Sequence, residues 1–597
     1  MVNSQTADVP PPGCRPAHGG IRRRAEAIVV LLLAGCLAGQ ALFFLSRKSV
    51  TADEFTFLAL GYRNLTGSPS FDEINPPLIM DLSALPLLTL RPQPFPPLPA
   101  GVAIEEEGVD FLYYNTVSPR RLLTAARLPV LALSLGLCLL IWRWSFREYG
   151  AWAGAVSVFL YAFNPLVVSL SGLATPDLGA AAMMTAALFL FHRFATRPGI
   201  VPLVLTGVVS GLALASKQTA LILIPSLGLL AAADVAGARS GGAGLGRRLG
   251  FWAGAGLVWA VLAVLTLNAV YGFAGTGTPL GHLDFVRSPV FREHPLWSGM
   301  LNRFTERIPC PLPEPYLHSL ASAVAFAGVG GRRAAYLLGE ISQQGWWYYY
   351  PLALLIKTPV ALLLVSGWAL GEWVFRPASR RRDERILLVP AGLLLLSACT
   401  SRLQIGIRHV VWVYPLLAIF AGRLVSLFRR SRAARVFAAG LACWYVGAAL
   451  FIAPHYLAYF NETVGGPRGG HRYLIDSNLD WGQDVEGLVR YLDRRGIARI
   501  PFAHWIAVPP GHADRFQPLG CVPTNGWLAA QVNTVQGLTE AWGRAPPGCY
   551  RWLREREPDD RVGYSILLYH VPPPARPRNP VIKRAAKTVS QGSRGAR

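Results

Sequence analysis

Long apolar stretches, separated by shorter polar and basic ones, run along most of this chain. About 20 apolar residues are enough for a helix to cross the roughly 30 Å hydrocarbon layer of a membrane. The eleven stretches that approach this length are 27–46, 123–144, 150–169, 176–194, 200–216, 218–235, 249–271, 350–373, 386–401, 408–426 and 434–455. The pattern predicts a mostly α, polytopic membrane protein with about eleven transmembrane helices.

Basic residues cluster beside these stretches in a way that predicts their orientation. The clusters lie at Arg22–Arg24, Arg143–Arg147, His192–Arg197, Arg239–Arg248, Arg376–Arg385 and Arg429–Arg435. Cytoplasmic loops of membrane proteins carry an excess of Lys and Arg. All the clusters fall on the inner side when the N-terminus is cytoplasmic and the C-terminus is external.

This topology divides the chain into four parts. They are a cytoplasmic tail at 1–26, a transmembrane domain at 27–455 with external loops 47–121 and 272–349, an external domain at 456–572 and a basic tail at 573–597. The run Val562–His570 alternates as a strand does, so we expect the external domain to be a small α/β domain. The tail combines basic residues with prolines, which is typical of a disordered segment near anionic headgroups.

The composition agrees with a membrane protein and limits its partners. Of the 597 residues, 52% are apolar and 15% are charged, whereas soluble domains have about 25% charged residues. The net charge of +23 comes largely from the arginines beside the apolar stretches. We therefore expect membrane lipids, and no nucleic acid, as partners of these basic residues.

Three acidic residues stand beside the predicted outer ends of helices. Asp53 and Glu54 follow the first stretch closely, and Asp177 opens the fourth. A carboxylate at the water–lipid boundary can accept a proton from a hydroxyl nucleophile within about 3 Å, while a second acid orients that group or holds a divalent cation. The alternative is structural, because acids are favoured in the first turn of a helix after an N-cap such as Thr51.

Basic residues inside apolar stretches are the complementary feature. They are Lys217, Lys357, Arg408 and His409, all near predicted outer ends. A charge at the centre of a bilayer costs on the order of 3 kcal/mol, so such residues usually face a cavity or a partner. We expect them to neutralise a phosphate. Snorkelling of the long side chains to the membrane surface is the alternative.

Two features of the external domain have chemical interpretations. Asp476, Asn478 and Asp480 have the spacing that opens a calcium loop, but Trp481 stands where that loop needs glycine. Packing, a lid over an active site and acceptor contact are the other interpretations of this segment. Cys521 and Cys549 lie 28 positions apart, and an oxidising exterior allows them to form a disulfide.

Several short segments, taken in order, resemble the GT-C glycosyltransferases that use a lipid carrier. This group includes the protein O-mannosyltransferases and the lipid A aminoarabinose transferases. The segments are Ala52–Glu54, Asn75–Leu78, Leu173–Asp177, Gly211–Lys217, Tyr336–Glu340, Gly345–Pro351, Ile356–Pro359, Arg408–His409, Tyr414–Pro415 and Asp476–Asp484. The resemblance implies a GT-C helical bundle, a sugar donor carried on a polyprenyl phosphate, and catalysis on the outer face of the membrane.

The resemblance also implies roles for individual residues. The catalytic candidates are Asp53, Glu54 and Asp177, and the substrate-binding candidates are Asn75, Lys217, Glu340, Lys357, Arg408 and His409. Lys217 and Arg408 match phosphate partners. Many relatives have His-Pro-Pro where this chain has Asn75-Pro76-Pro77, and we expect Asn75 to hydrogen-bond a sugar hydroxyl.

Together these features predict an inverting glycosyltransferase of the bacterial plasma membrane that moves a hexose or pentose to a lipid, glycan or protein acceptor. No cofactor is predicted beyond a divalent cation held by the acids. A transporter or flippase of a lipid-linked sugar is the second interpretation. A flippase requires ionisable groups along a path to the inner face. The inner halves of the apolar stretches carry few such groups. A non-catalytic scaffold is the third.

Overall fold

The computed structural model describes residues 18–93 apart from 68, 70 and 73, and then 104–238, 244–283, 307–327, 334–376 and 384–573. Within these ranges, six helices are long and apolar enough to cross a membrane: Arg24–Arg47, Pro119–Tyr149, Pro176–Thr196, Gln218–Gly237, Leu245–Val270 and Arg432–Ile452. The chain is therefore an integral, multi-pass membrane protein, as its apolar pattern predicts. Most of the predicted N-terminal tail and of the basic C-terminal tail lies outside the described residues.

The other five predicted spans are not long straight helices. The span 150–169 is a pair of helices bent by 71°, and the span 350–373 is a pair bent by 114°. Pro165 and Pro359 stand at these bends, because proline lacks an N–H and disfavours helix in the residue before it. The spans 200–216 and 386–401 become shorter helices, and 408–426 breaks into several short ones. The eleven predicted spans thus correspond to six long helices, two bent pairs and shorter pieces.

The helices of the described residues are numbered in chain order. The first twelve are α1 His18–Arg47, α2 Ala52–Leu65, α3 Leu78–Ala84, α4 Leu87–Leu90, α5 Ile104–Tyr113, α6 Pro119–Tyr149, α7 Ala153–Ala162, α8 Pro165–Ser171, α9 Pro176–Thr196, α10 Ile200–Leu214, α11 Leu223–Ala238 and α12 Leu245–Val270. The others are α13 Glu314–Ala327, α14 Tyr349–Lys357, α15 Val360–Phe375, α16 Arg385–Thr400, α17 Val413–Ala421, α18 Val425–Arg430, α19 Arg432–Ile452, α20 Val485–Arg495, α21 Val532–Val535, α22 Leu538–Ala541 and α23 Arg551–Arg554.

The core of the membrane region lies where α6 packs against α7 and α9. Trp144 of α6 is fully buried, and its ring centroid lies 5.4 Å from that of Phe189 on α9. Ser134 of α6 hydrogen-bonds the hydroxyl of Tyr161 on α7 at 3.0 Å. The first contact fastens the C-terminal half of α9 to α6, and the second fastens α7 to α6.

Helix α2 is clamped between α3 and α5 by close backbone contacts. A Cβ atom at Gly61 of α2 would lie 2.4 Å from the carbonyl oxygen of Met80, and one at Gly108 of α5 would lie 2.4 Å from the carbonyl of Phe55. Only glycine allows such an approach. The clamp fixes the direction of α2, which carries Asp53 in its first turn.

The C-terminal region contains the predicted α/β domain. Its five strands are β3 Ile500–Ala503, β4 Phe516–Pro518, β5 Gly526–Gln531, β6 Asp560–Val562 and β7 Ile566–Val571, and they form a sheet in the order β4-β3-β5-β7-β6. The pairs β3–β4 and β3–β5 are parallel, and the other two are antiparallel. A separate antiparallel hairpin in the predicted loop 272–349 pairs β1 Ala335–Leu337 with β2 Glu340–Ser342.

Two predictions about this domain have clear outcomes. Cys521 and Cys549 form a disulfide, as predicted. The single strand predicted at 562–570 is wrong, because the run is divided between β6 and β7. Gly563 and Tyr564 between them have φ values of 62° and 68°, a left-handed pair that closes a tight antiparallel turn.

Candidate active site

The C-terminal domain holds the short segment that joins α1 to α2. The backbone N–H of Ser49 donates to the carbonyl of Gln483 at 2.9 Å, and that of Ala52 donates to the carbonyl of Trp481 at 3.0 Å. This pairing resembles that of two strands, although each segment is too short to form a sheet. It places Asp53, at the start of α2, directly beside Trp481.

Glu54 is fully buried and surrounded by donors. Arg127 of α6 donates to its two carboxylate oxygens at 2.8 and 2.7 Å. Thr51 donates its backbone N–H at 2.9 Å and its hydroxyl at 3.0 Å, which completes a capping box, and Ala174 donates its N–H at 2.8 Å. A carboxylate occupied in this way is not placed to accept a proton from a substrate. The geometry therefore favours a structural role for Glu54 over the predicted catalytic one.

Asp53 is the accessible acid of the site. Its side chain is 28% exposed. Its Oδ2 atom accepts a hydrogen bond from Nη1 of Arg408 at 2.9 Å, and its Oδ1 atom accepts one from the indole N–H of Trp481 at 3.3 Å. The carboxylate is thus held from two sides while part of it still faces solvent.

Asp177 is buried in the first turn of α9 and links two cations. Thr175 precedes the helix and Pro176 opens it, which is a favoured helix start. The ammonium of Lys217 pairs with Oδ1 of Asp177, and Nη1 of Arg408 lies 3.5 Å from Oδ2. Burying charges is costly unless they are paired, and two acids balance the two cations in this cluster of Asp53, Asp177, Lys217 and Arg408.

Arg408 lies in a 3₁₀ turn, Ile407–Val410, at the centre of the cluster. Its Nε atom donates to the hydroxyl of Ser477 at 3.2 Å. Its guanidinium carbon lies 4.0 Å from the ring centroid of Trp481, which is a close cation–π contact. The guanidinium therefore joins helix α2, helix α9 and the C-terminal domain at one point.

A cavity of about 240 Å³, which includes the solvent at its mouth, opens at this cluster. Its lining combines the polar or charged side chains of Asp177, Lys217, Thr219, Arg408 and His409 with the mainly apolar ones of Ala180, Ala181, Met184, Leu394, Val411 and Trp412. A ligand that joins an anionic group to an apolar one matches this mixed lining.

Three predicted substrate-binding residues have other contacts. Lys357 is buried and donates to the carbonyls of Leu457 at 2.8 Å and Asn478 at 2.6 Å. Glu340 is exposed in the β1–β2 hairpin, away from the lining of the cavity. Asn75 donates its backbone and side-chain N–H groups to Asp72, both at 2.8 Å. The structure therefore does not bring these three side chains into the charged cluster.

Asp72 is a neighbour of the site that was not predicted from the sequence pattern. Burial raises the pKa of the Asp72 carboxyl, and the negative charge of Asp53 raises it further, while the hydrogen bonds from Asn75 oppose the effect. This electrostatic contact puts Asp72 on the same side of the molecule as Asp53. Its position three residues before the Asn75-Pro76-Pro77 motif was the available signal.

The segment Asp476–Asp480 does not form a metal loop. The Asp480 carboxylate accepts N–H groups from Trp505 at 3.0 Å, Asn533 at 3.1 Å and Gln531 at 3.3 Å. Burial raises the pKa of Asp480 to about 7, although these donors favour its ionised form. Within the described ranges, no three His, Cys, Asp or Glu side chains are arranged to hold a metal ion. Both Asp177 oxygens already contact cations, so the residues of the cluster do not fit a divalent cation there.

Comparison with known proteins identifies a related family. Residues 120–243 match the dolichyl-phosphate-mannose-protein mannosyltransferases. This segment contains Asp177 and Lys217, whereas Asp53, Arg408 and Trp481 lie outside it. The match confirms the predicted resemblance to lipid-carrier-dependent glycosyltransferases for this part of the chain. No curated protein matches the chain in sequence.

Solved structures show a weak overall likeness. One is ArnT from Cupriavidus metallidurans bound to undecaprenyl phosphate, with 13% identity, a TM-score of 0.44, and coverage of 93% of this chain and 98% of that one. Another is the oligosaccharyltransferase AglB from Archaeoglobus fulgidus in complex with an inhibitory peptide and a dolichol-phosphate. It has 14% identity, a TM-score of 0.45, and coverage of 72% of this chain and 54% of that one. Scores this low do not support a functional assignment by themselves.

Proposed function

We propose that the protein is a GT-C glycosyltransferase that moves a hexose or pentose from a polyprenyl phosphate to an envelope lipid, glycan or protein. The observation that carries this proposal is the cluster of Asp53, Asp177, Lys217 and Arg408. It combines one partly exposed carboxylate with two buried cations, and three of its members, Asp177, Lys217 and Arg408, also line a cavity together with apolar side chains. The name of the matching family adds support, since dolichyl phosphate is a polyprenyl phosphate.

In the proposed reaction, the Asp53 carboxylate accepts the proton of an acceptor hydroxyl. The hydroxyl oxygen forms a bond to the anomeric carbon as the bond from that carbon to the phosphate oxygen breaks. Polyprenyl phosphate leaves with the bonding electron pair, and Lys217 and Arg408 stabilise its added negative charge. A single displacement of this kind inverts the anomeric configuration. Asp177 contributes by holding both cations in place.

We place the reaction on the outer face of the plasma membrane, with the N-terminus cytoplasmic. Asp177 lies in the first turn of α9, while Arg193 and Arg197 gather near Arg147 at the other end of α9. At 1.5 Å per residue the two ends of this helix are about 30 Å apart, so the site and the basic end lie at opposite membrane surfaces. Basic ends favour the cytoplasm, and the Cys521–Cys549 disulfide favours an oxidising exterior.

The test begins with mass spectrometry of envelope lipids and glycans from cells with and without the protein, which identifies the modified molecule. Purified protein in liposomes is then supplied with a panel of polyprenyl-phosphate sugars and that acceptor. We expect release of polyprenyl phosphate and gain of one sugar on the acceptor. Movement of an intact donor across the liposome membrane with no release would instead support the flippase interpretation and contradict the transferase.

A matched pair of variants ties the activity to the site. Asp53→Asn removes the proposed base. Asp493→Asn is the control, because Asp493 is an exposed acid of the C-terminal domain that pairs with Arg515 at 2.5 Å. Sugar transfer should be lost in the first variant and kept in the second. Equal activity in both would contradict the assignment of Asp53.

A further inference from the structure

The C-terminal domain reaches the charged cluster through the segment 476–484, and Trp481 makes the closest approach. Trp481 is 2% exposed. Its indole N–H donates to Asp53 at 3.3 Å, and the face of its ring lies 4.0 Å from the guanidinium carbon of Arg408. A single side chain from this domain thus touches both the accessible acid and the central cation.

We propose that Trp481 is a positioning residue for sugar transfer, which orients the Asp53 carboxylate and the Arg408 guanidinium together. This inference rests on the proposed function. It also assigns a role to the C-terminal domain, which becomes part of the machinery for turnover because it supplies this indole.

The two oxygens of Asp53 are held by different groups. Arg408 binds Oδ2 and Trp481 binds Oδ1, so the plane of the carboxylate is fixed at the start of α2. A base must direct a lone pair at the proton that it accepts, and small errors in this geometry lower the rate strongly. The indole supplies the second of the two contacts that prevent rotation of the carboxylate.

Trp481 is itself firmly held. Its backbone N–H donates to the side chain of Gln483 at 2.7 Å, and its carbonyl accepts the N–H of Ala52 at 3.0 Å. The carboxylate of the preceding residue, Asp480, accepts hydrogen bonds from Trp505 and from Asn533. Asn533 lies just beyond the end of β5. The sheet therefore sets the position of the indole, and the indole in turn contacts Asp53.

Several charged groups surround the Asp53 carboxylate in addition to the indole N–H. Arg408 contacts Asp53 directly, while Lys217 and Asp72 act on it through space and Asp177 shares Arg408. A hydrogen bond to a carboxylate favours its ionised form. Removing the N–H leaves these charges unchanged, so a change in turnover reports the lost hydrogen bond.

The test is Trp481→Phe in the full-length protein. Phenylalanine keeps an aromatic face for Arg408 but has no N–H. With the polyprenyl-phosphate sugar that wild type turns over, we expect kcat to fall roughly 10-fold and KM for the donor to stay within about twofold. Unchanged kcat would overturn the inference.

The matched control is Trp444→Phe. Trp444 also donates its indole N–H to a carboxylate, that of Glu462, at 3.1 Å, but it contacts no member of the charged cluster. This variant should keep the kcat of wild type. An equal loss in the control would show that removal of any such N–H is harmful, and would also overturn the inference.

A double-mutant cycle separates positioning from folding. If Trp481 acts through Asp53, then Trp481→Phe should cause little further loss in the Asp53→Asn background, whereas a general structural defect would add its full effect. Trp481→His keeps an N–H on a planar ring and should retain more activity than the phenylalanine variant. If the phenylalanine variant does not fold, retained activity in a folded Trp481→His variant supports the role of the N–H, and a loss as large as that of Asp53→Asn contradicts it. Absence of sugar transfer by wild type would contradict the proposed function itself.

Discussion

The two aspartates of the cluster should respond to the same substitution in opposite ways. Asp53→Asn and Asp177→Asn each remove one negative charge and keep the size of the side chain. Asp53 is 28% exposed and pairs with one cation, whereas the Asp177 side chain is 0% exposed and contacts two. We expect the first substitution to lower turnover strongly with little effect on stability, and the second to destabilise the fold.

The magnitudes follow from these environments. An ion pair that solvent reaches contributes about 1 kcal/mol or less, so Asp53→Asn should change the free energy of unfolding only slightly, while loss of a general base should lower kcat about 100-fold or more. Asp177→Asn leaves the ammonium of Lys217, whose side chain is 9% exposed, without its carboxylate. Breaking a buried pair in this way costs about 3–5 kcal/mol.

The assay measures kcat, the affinity for a polyprenyl phosphate and thermal unfolding on the same detergent-solubilised samples. Asp53→Asn should bind the lipid phosphate nearly as wild type does. A variant that loses only lipid affinity at unchanged kcat would show that Asp53 binds rather than accepts the proton. Equal unfolding temperatures for Asp177→Asn and wild type would refute the argument that Asp177 stabilises the buried cations.

Three further predictions concern other parts of the chain. Lys217→Ala should weaken binding of the polyprenyl phosphate roughly 10-fold or more as well as lowering kcat, whereas a loss confined to kcat would show that Lys217 does not contact the phosphate in the ground state. Alkylation of Cys521 and Cys549 should require prior reduction, as judged by a mass shift of two alkyl groups, and full labelling without reductant would contradict their pairing. Burial, with Arg561 and Arg472 nearby, lowers the pKa of His471 to about 4, so its contribution to stability should be present above about pH 6.5 and lost as the pH falls towards 4. His471→Gln should flatten this part of the stability curve measured by thermal unfolding, and an unchanged slope would contradict the argument.

Much of the membrane architecture could be predicted from the chain because lipid imposes a length and a polarity on each helix. The stretches at 27–46 and 123–144 became long helices for this reason. The bends within 150–169 and 350–373 were harder to predict, since the apolar pattern continues across Pro165 and Pro359. Proline was visible in the sequence, but the angles depend on how the neighbouring helices pack.

In the candidate site, too, the sequence predicts some features and the packing of the fold decides the others. The sequence by itself determined which residue types were out of place: acids beside apolar helices at Asp53 and Asp177, and cations within them at Lys217 and Arg408. Their partners were decided only by the tertiary structure, because Arg408 is 355 positions from Asp53 and Trp481 is 428 positions from it. The order of apolar and polar residues along a chain indicates whether each segment lies in lipid or in water. Hydrogen bonds and ion pairs depend instead on distances that only the folded arrangement of α2, α9 and the C-terminal domain sets. For this reason Glu54, adjacent to Asp53 and chemically alike, is buried against Arg127 while Asp53 faces the cluster.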